Sequence, residues 1–272
     1  MHRSFVKGTL TDLGISPLKR KGQNFLIDEN ILRMQIREAD ILAGDQILEI
    51  GPGLGFLTEE LLKTGAQITA IEIDPNLYRY LKGTLENRYD NLKLIHGDFL
   101  KEEFQGFNKV IANLPYNISS PITFRLHGIG IELGVLMYQY EFAQRMCSEP
   151  NCKEYSRLSV MCQYHFFPTL IRKIGSNVFY PQPDVDSALV RLVRRKRKTK
   201  AQNYDIFKNI VRSAFNKRRK KLKNALGSLG EIELKKMETE STMTTFLEKR
   251  AGELSVENYI SIANHFSTNK DG

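Results

Sequence analysis

Cysteine is scarce: of 272 residues only Cys147, Cys152 and Cys162 carry a thiol. Three cannot all pair, so disulfides do not staple a chain of this length, and a reduced, cytoplasmic setting is expected. No apolar run approaches the ~18 residues of a membrane span, which excludes an integral helical membrane protein. The opening MHRSFVKGTLTDLG has no continuous apolar stretch and does not read as a secretory signal. Internal repeats and low-complexity tracts are also missing. The cysteines and His165 lack the paired C-x2-C spacing of structural zinc, so no metal is expected. What is present suits a packed core: 41% of residues are hydrophobic and 26% charged. The length suggests two domains.

Acid is scarce in one region. Between Arg191 and Asn224, fifteen Lys or Arg face the single acid Asp205, whereas the whole chain has a formal charge of only +9. The basic character is therefore one segment, the usual footprint of phosphate binding. The bland alternative is a solvated, nuclear-targeting or lipid-facing run.

The first two-thirds alternates strand-like and helix-like stretches. Asp28 can cap a helix from Glu29 to about Leu42. Strands are predicted at Gln46–Ile50, Gln67–Ile73, Leu92–His96, Lys109–Ala112 and Val135–Tyr138. His165–Ile174 and Ser187–Arg194 read as a final antiparallel pair. Leu54, Leu57, Leu61 and Leu62 fall at helical spacing, and Pro75 opens another helix from Asn76 to Asn87. Such alternation means an α/β fold with a parallel sheet covered on both faces. After Arg195 the pattern is a polar, basic linker followed by helical spacing alone: Ile206, Ile210, Ala214; Leu222, Leu226, Leu229; Val256, Tyr259, Ile260. This predicts a division into residues 1–195 and a small all-helical domain, 196–272.

Glu49-x-Gly51-x-Gly53-x-Gly55 lies between a buried strand and a helix, where glycines let the chain turn sharply and a ligand approach its backbone. Twenty-one residues past Gly51, at the end of the next strand, Glu72 is placed to accept the hydroxyls of a ribose. The third glycine comes one residue earlier than in the dinucleotide pattern G-x-G-x-x-G; position 56 is Phe56. The variant suits a ligand with ribose and adenine but no pyrophosphate, such as S-adenosylmethionine; a dinucleotide or a merely structural turn are the alternatives. Asp98, after the third strand, is a candidate acceptor for the adenine amino group, with Phe99 or a neighbour over the ring, unless it only caps a helix.

Asn113-Leu114-Pro115-Tyr116 follows the fourth strand. An exocyclic amino nitrogen is a poor nucleophile because its lone pair is delocalised into the ring. Acceptors that hold both N–H bonds draw that pair out of the ring plane, and the Asn113 side chain and Leu114 carbonyl are such acceptors. Pro115 confines the preceding residue to extended geometry, and Tyr116 offers a face for a flipped base. The bland reading is a proline turn with a core tyrosine.

These stretches, with Gly22-Gln23-Asn24-Phe25-Leu26, Ile71-Glu72-Ile73-Asp74, Gly97-Asp98-Phe99-Leu100, Tyr155–Val160, Phe179–Ser187 and Phe215–Asn224, resemble the ribosomal RNA adenine N6,N6-dimethyltransferase family, the small-subunit kind that modifies two adjacent adenosines. The resemblance implies a Rossmann-like, seven-stranded S-adenosylmethionine-dependent methyltransferase fold. It places Asn24 and Leu26 in a segment folding over the cofactor and Gly51 at its methionine portion, with Gly53 also binding the cofactor. Glu72 takes the ribose, Asp98 the adenine, Asn113 the methyl-transfer centre, and Phe179 the second wall of the base pocket beside Tyr116. S-adenosylhomocysteine is the implied product. The partner is small-subunit (16S) RNA near its 3′ end, or a pre-30S-type particle, met by a monomer without a membrane. Gln182 departs from the family pattern, which often has proline there.

The target is expected in a hairpin loop, because an adenine N6 is reachable only when the base leaves its stack. Lys217, Arg218, Lys220, Lys221 and Lys223 are expected to stud one helix, with Arg218, Lys220, Lys221 and Lys223 docking the RNA. Three other readings compete. A large-subunit RNA adenine methyltransferase would share every cofactor motif. A non-catalytic RNA-binding protein on the same fold would have lost Asn113, Tyr116 or the glycine turn. An oxidoreductase is disfavoured by the early third glycine.

Overall fold

The computed structural model describes residues 3–15, 23–227, 237 and 239–268; Gly22 and Leu229 of the motifs above lie outside them. The chain divides into two compact units, Met1–Ala143 with Phe167–Arg194, and Gln144–Phe166 with Arg195–Gly272.

The first unit holds the sheet. After the helix α1 (Arg3–Asp12) and the two-residue strand β1 (Phe25–Leu26) comes α2 (Glu29–Glu38), then β2 (Gln46–Ile50). Asp28 caps α2 by accepting from the amides of Asn30 (2.8 Å) and Ile31 (3.2 Å). The helix stops short of the expected Leu42 because Asp40 turns into the left-handed region, φ +45°. From Ile47 to Ile50, β2 is buried throughout, as a parallel strand covered on both faces requires. Next are α3 (Phe56–Leu62), β3 (Gln67–Glu72), α4 (Pro75–Leu81), β4 (Leu92–His96) and β5 (Lys109–Asn113). The helix α5 (Ser119–Ile129) leads to β6 (Leu133–Gln139), and α6 (Tyr140–Cys147) and α7 (Arg157–His165) precede the last strands. These are β7 (Phe166–Ile174), β8 (Phe179–Tyr180) and β9 (Ser187–Arg194).

The large sheet has the order β4-β3-β2-β5-β6-β9-β7. Neighbours from β4 to β6 are parallel, and β9 runs antiparallel to β6, with Ser187 opposite Gln139. The chain steps outward from β2 through β3 to β4, then returns to the other side of β2 as β5. That reversal opens a crevice at the carboxyl ends of β2 and β5, where open α/β sheets bind ligands. A second, two-stranded sheet pairs β1 with β8, Leu26 opposite Phe179.

The second unit is helical: α7, α8 (Tyr204–Asn216), α9 (Leu222–Leu226), Ser241–Glu248 and Val256–Thr268. It includes 144–166, which a division after Arg195 leaves with the sheet. Side-chain contacts explain why. The Tyr164 ring lies 4.6 Å from that of Phe207, the Tyr155 hydroxyl donates to the Leu254 carbonyl (3.0 Å), and Arg197 donates to the carbonyls of Gln163 and Tyr164.

The single basic helix does not form. α8 ends at Asn216, Lys217–Lys220 is a turn closed by the Lys220 amide on the Lys217 carbonyl (2.8 Å), and α9 begins only at Leu222. A continuous helix would stack like charges three and four residues apart, which is unfavourable. Instead Arg218 donates to the Lys153 carbonyl (2.8 Å), and Lys221 and Lys223 both hold Glu248 at 2.5 Å. Leu222 and Leu226 turn inward as their spacing predicts.

Candidate active site

The three glycines after β2 all have positive φ: +69° at Gly51, +63° at Gly53 and +86° at Gly55. They do different work. A Cβ on Gly51 would project into open space, leaving the backbone bare toward the cavity. At Gly53 it would meet the Phe25 ring at 3.0 Å, and at Gly55 it would lie 2.7 Å from the Leu81 side chain. The early third glycine thus lets α3 start against α4 and belongs to packing.

Two carboxylates converge behind this turn. Glu72 ends β3, buried; one oxygen accepts from the Gly53 amide (3.1 Å) and the other from the Asp74 amide (2.9 Å). Burial still lifts its pKa, the amide donors opposing. Glu49, in β2, is buried with one side-chain oxygen unpartnered. Burial pushes its pKa up to about 8; the Thr58 hydroxyl opposes that rise and the Glu72 charge adds to it. Motif spacing alone assigns Glu49 no role, although an acid inside an otherwise apolar strand is the signal of one.

Asp98 both lines the cavity and closes a local turn, one oxygen accepting from the Leu100 amide at 3.0 Å. The ring of Phe99 is buried on Phe104, centroids 5.4 Å apart. On the other side of the crevice Asn113 ends β5. Its side-chain oxygen is buried and accepts no hydrogen bond. Pro115 (φ −59°, ψ 128°) carries the chain into a short 3-10 turn from Tyr116, whose hydroxyl lies 2.5 Å from that of Ser187. Phe179, buried, is brought opposite Leu26 by the β1–β8 ribbon.

Asn24, Leu26, Gly51, Gly53, Glu72, Asp98, Asn113, Leu114, Tyr116 and Phe179 all line one cavity of about 390 Å³, a volume that suits a nucleoside-sized ligand. Arg218, Lys220, Lys221 and Lys223 belong to the helical unit and do not line it. His96, the nearest histidine to the motifs, stacks on Tyr78 at 5.2 Å, outside the lining. Cys162 and His165 sit in α7, where the His165 ring meets the Tyr204 hydroxyl at 2.7 Å. No helix among the described residues is long and apolar enough to cross a membrane.

A seven-stranded sheet of this order, a glycine turn at its switch point and an Asn-Leu-Pro-Tyr loop across the crevice define an α/β methyltransferase. Comparison with known proteins narrows the class. Residues 18–268 match the profile of the family described as ribosomal RNA adenine dimethylase, and the chain belongs to that family. A relative in Thermococcus onnurineus, named "Probable ribosomal RNA small subunit methyltransferase A", is 42% identical over 255 residues, 91% of this chain and 92% of its own. Among solved structures, a dimethyladenosine transferase from Plasmodium falciparum is 28% identical with a TM-score of 0.78, covering 90% of this chain and 98% of that one. The 23S rRNA methyltransferase ErmE is 25% identical with a TM-score of 0.69, covering 90% of this chain and all of the other.

Proposed function

We propose that this protein dimethylates N6 of two adjacent adenosines in a hairpin loop near the 3′ end of small-subunit ribosomal RNA, during subunit assembly. It would do so as a cytoplasmic monomer using S-adenosylmethionine. The observation that carries the reading is the Asn113 side-chain oxygen: buried, unpartnered, on the cavity wall beside Tyr116. A buried acceptor left unsatisfied is costly, so it calls for a donor from the ligand.

The residues present fit the cofactor. Glu72 has acceptor capacity beyond its two amide bonds for a ribose, Asp98 faces the cavity for an adenine amino group, and the bare backbone at Gly51 leaves room for the methionine portion. Burial holds Glu49 protonated, and a positively charged occupant would favour its ionised form. When bound, S-adenosylmethionine supplies a methyl group activated on a sulfonium. Asn113 and the Leu114 carbonyl then hold both N–H bonds of the target amine and draw its lone pair out of conjugation. Tyr116 and Phe179 supply two aromatic faces for a base extruded from its loop. Small-subunit RNA is favoured by the relative named for it; the likeness to ErmE keeps large-subunit RNA as the competing substrate.

Asn113→Ala tests the reading. Turnover on small-subunit particles is expected to fall by a factor of about 10² or more, while S-adenosylhomocysteine affinity stays within about twofold. Methylation at the wild-type rate would remove the mechanism.

A further inference from the structure

We propose that Ser187 is a positioning residue of this site, its hydroxyl pinning the Tyr116 hydroxyl so that the Tyr116 ring stands as a fixed wall of the base slot. The inference rests on the function proposed above.

The two hydroxyl oxygens are 2.5 Å apart, at the short end of the O–H···O range, and either can be the donor. Ser187 is fully buried at the first position of β9, where its backbone lies opposite Gln139 of β6. Asn113 lies opposite Met137 on the same strand β6. The pin therefore reaches across one sheet end, from the loop after β5 to the strand two places away. Ser187 also closes the segment that begins with Phe179, so one hydrogen bond links the loop bearing one aromatic wall to the segment bearing the other.

Tyr116 needs such a tether. Its backbone begins a three-residue turn straight after Pro115, and its ring borders a cavity. A tyrosine held only at its Cα can rotate about χ1 into that space, whereas one held at both ends cannot. Stacking an extruded base depends on ring tilt, and misorientation slows a reaction that positioning accelerates. Burial raises the phenol's pKa, so the tether keeps its proton through the neutral range.

The test is a double-mutant cycle of Tyr116→Phe and Ser187→Ala, read by turnover, S-adenosylhomocysteine affinity and thermal melting. Stacking is followed by fluorescence of a target hairpin carrying 2-aminopurine at the reacting position. Tyr116→Phe keeps the ring and leaves Ser187 in place, so that variant alone still tests the pin if Ser187→Ala folds poorly. Each single change is expected to lower turnover about tenfold and weaken the quenching, with cofactor affinity within twofold and the double variant no worse than the poorer single. Quenching and turnover at wild-type levels in folded Tyr116→Phe would overturn the pin, as would losses that multiply in the double variant. A wild-type enzyme that binds S-adenosylhomocysteine but neither quenches the probe nor methylates small-subunit particles would overturn the base-slot reading, and the pin with it.

Discussion

Glu49 and Glu72 face one cavity whose lining, among the described residues, includes no basic side chain, and the cost of that arrangement sets two expectations at the scale of single residues. For Glu49 the folded pKa, about 8, lies above its ordinary value of 4.5. Both states are protonated below 4.5; above it the unfolded chain releases a proton that the fold retains. Stability of the ligand-free protein should fall as pH rises from about 4.5 toward 8, by as much as ~1.4 kcal/mol per pH unit from this group. Glu49→Gln should flatten that slope. Thermal melts at pH 5, 6.5 and 8 check it; equal slopes in the two proteins would show that Glu49 ionises freely in the fold. Glu72→Ala, by contrast, should weaken S-adenosylhomocysteine binding by on the order of 1–3 kcal/mol through lost charge-assisted hydrogen bonds, measurable by calorimetry. Unchanged affinity would place the ribose elsewhere. Glu72 was legible because an acid at a strand end about twenty residues past a glycine turn has a recurrent use. Ser187 was not, since a serine opening a strand carries no mark of what its hydroxyl meets.

At the scale of elements, parallel strands are legible nearly to the residue: Gln46–Ile50, with its buried run, and Leu92–His96, an edge strand of mixed burial, stand as predicted. The β1–β8 ribbon is invisible to any periodicity argument. Two-residue strands have no pattern, and their partners are about 150 positions apart in sequence. The basic segment departs from expectation for another reason: composition records how many cations there are, and geometry decides which ones are occupied. Arg218 is spent on backbone carbonyls, and Lys221 and Lys223 on Glu248, whose carboxyl they hold down at about 2. Lys217, Arg219 and Lys220 are exposed and, among the described residues, carry no ion pair. Neutralising those three should therefore reduce the log–log salt slope of RNA binding by roughly one unit for each phosphate left without its cation, with cofactor affinity unchanged. Arg218→Ala should lower thermal stability more than it changes that slope. Filter binding across a salt series decides between them; a slope untouched by the triple change would mean that the RNA docks on other groups.

At the scale of the whole molecule, the cavity is built within the sheet unit, and most of the basic segment belongs to the helical unit. Residues 144–166 belong to the helical unit through buried contacts that no composition shift announces. The part of the cavity formed by strand ends is legible, because the carboxyl ends of strands in this topology converge whatever fills the loops between them, whereas Asn24, Leu26 and Phe179 reach the lining from segments that only the family resemblance marks. The decisive measurement is mass spectrometry of nucleosides from ribosomal RNA after incubating the protein and S-adenosylmethionine with unmodified small and large subunits in parallel. Two N6,N6-dimethyladenosines per small-subunit RNA and none in the large are expected. Dimethylation confined to large-subunit RNA, or no methyl transfer to either by a protein that binds S-adenosylhomocysteine, would contradict the proposed function.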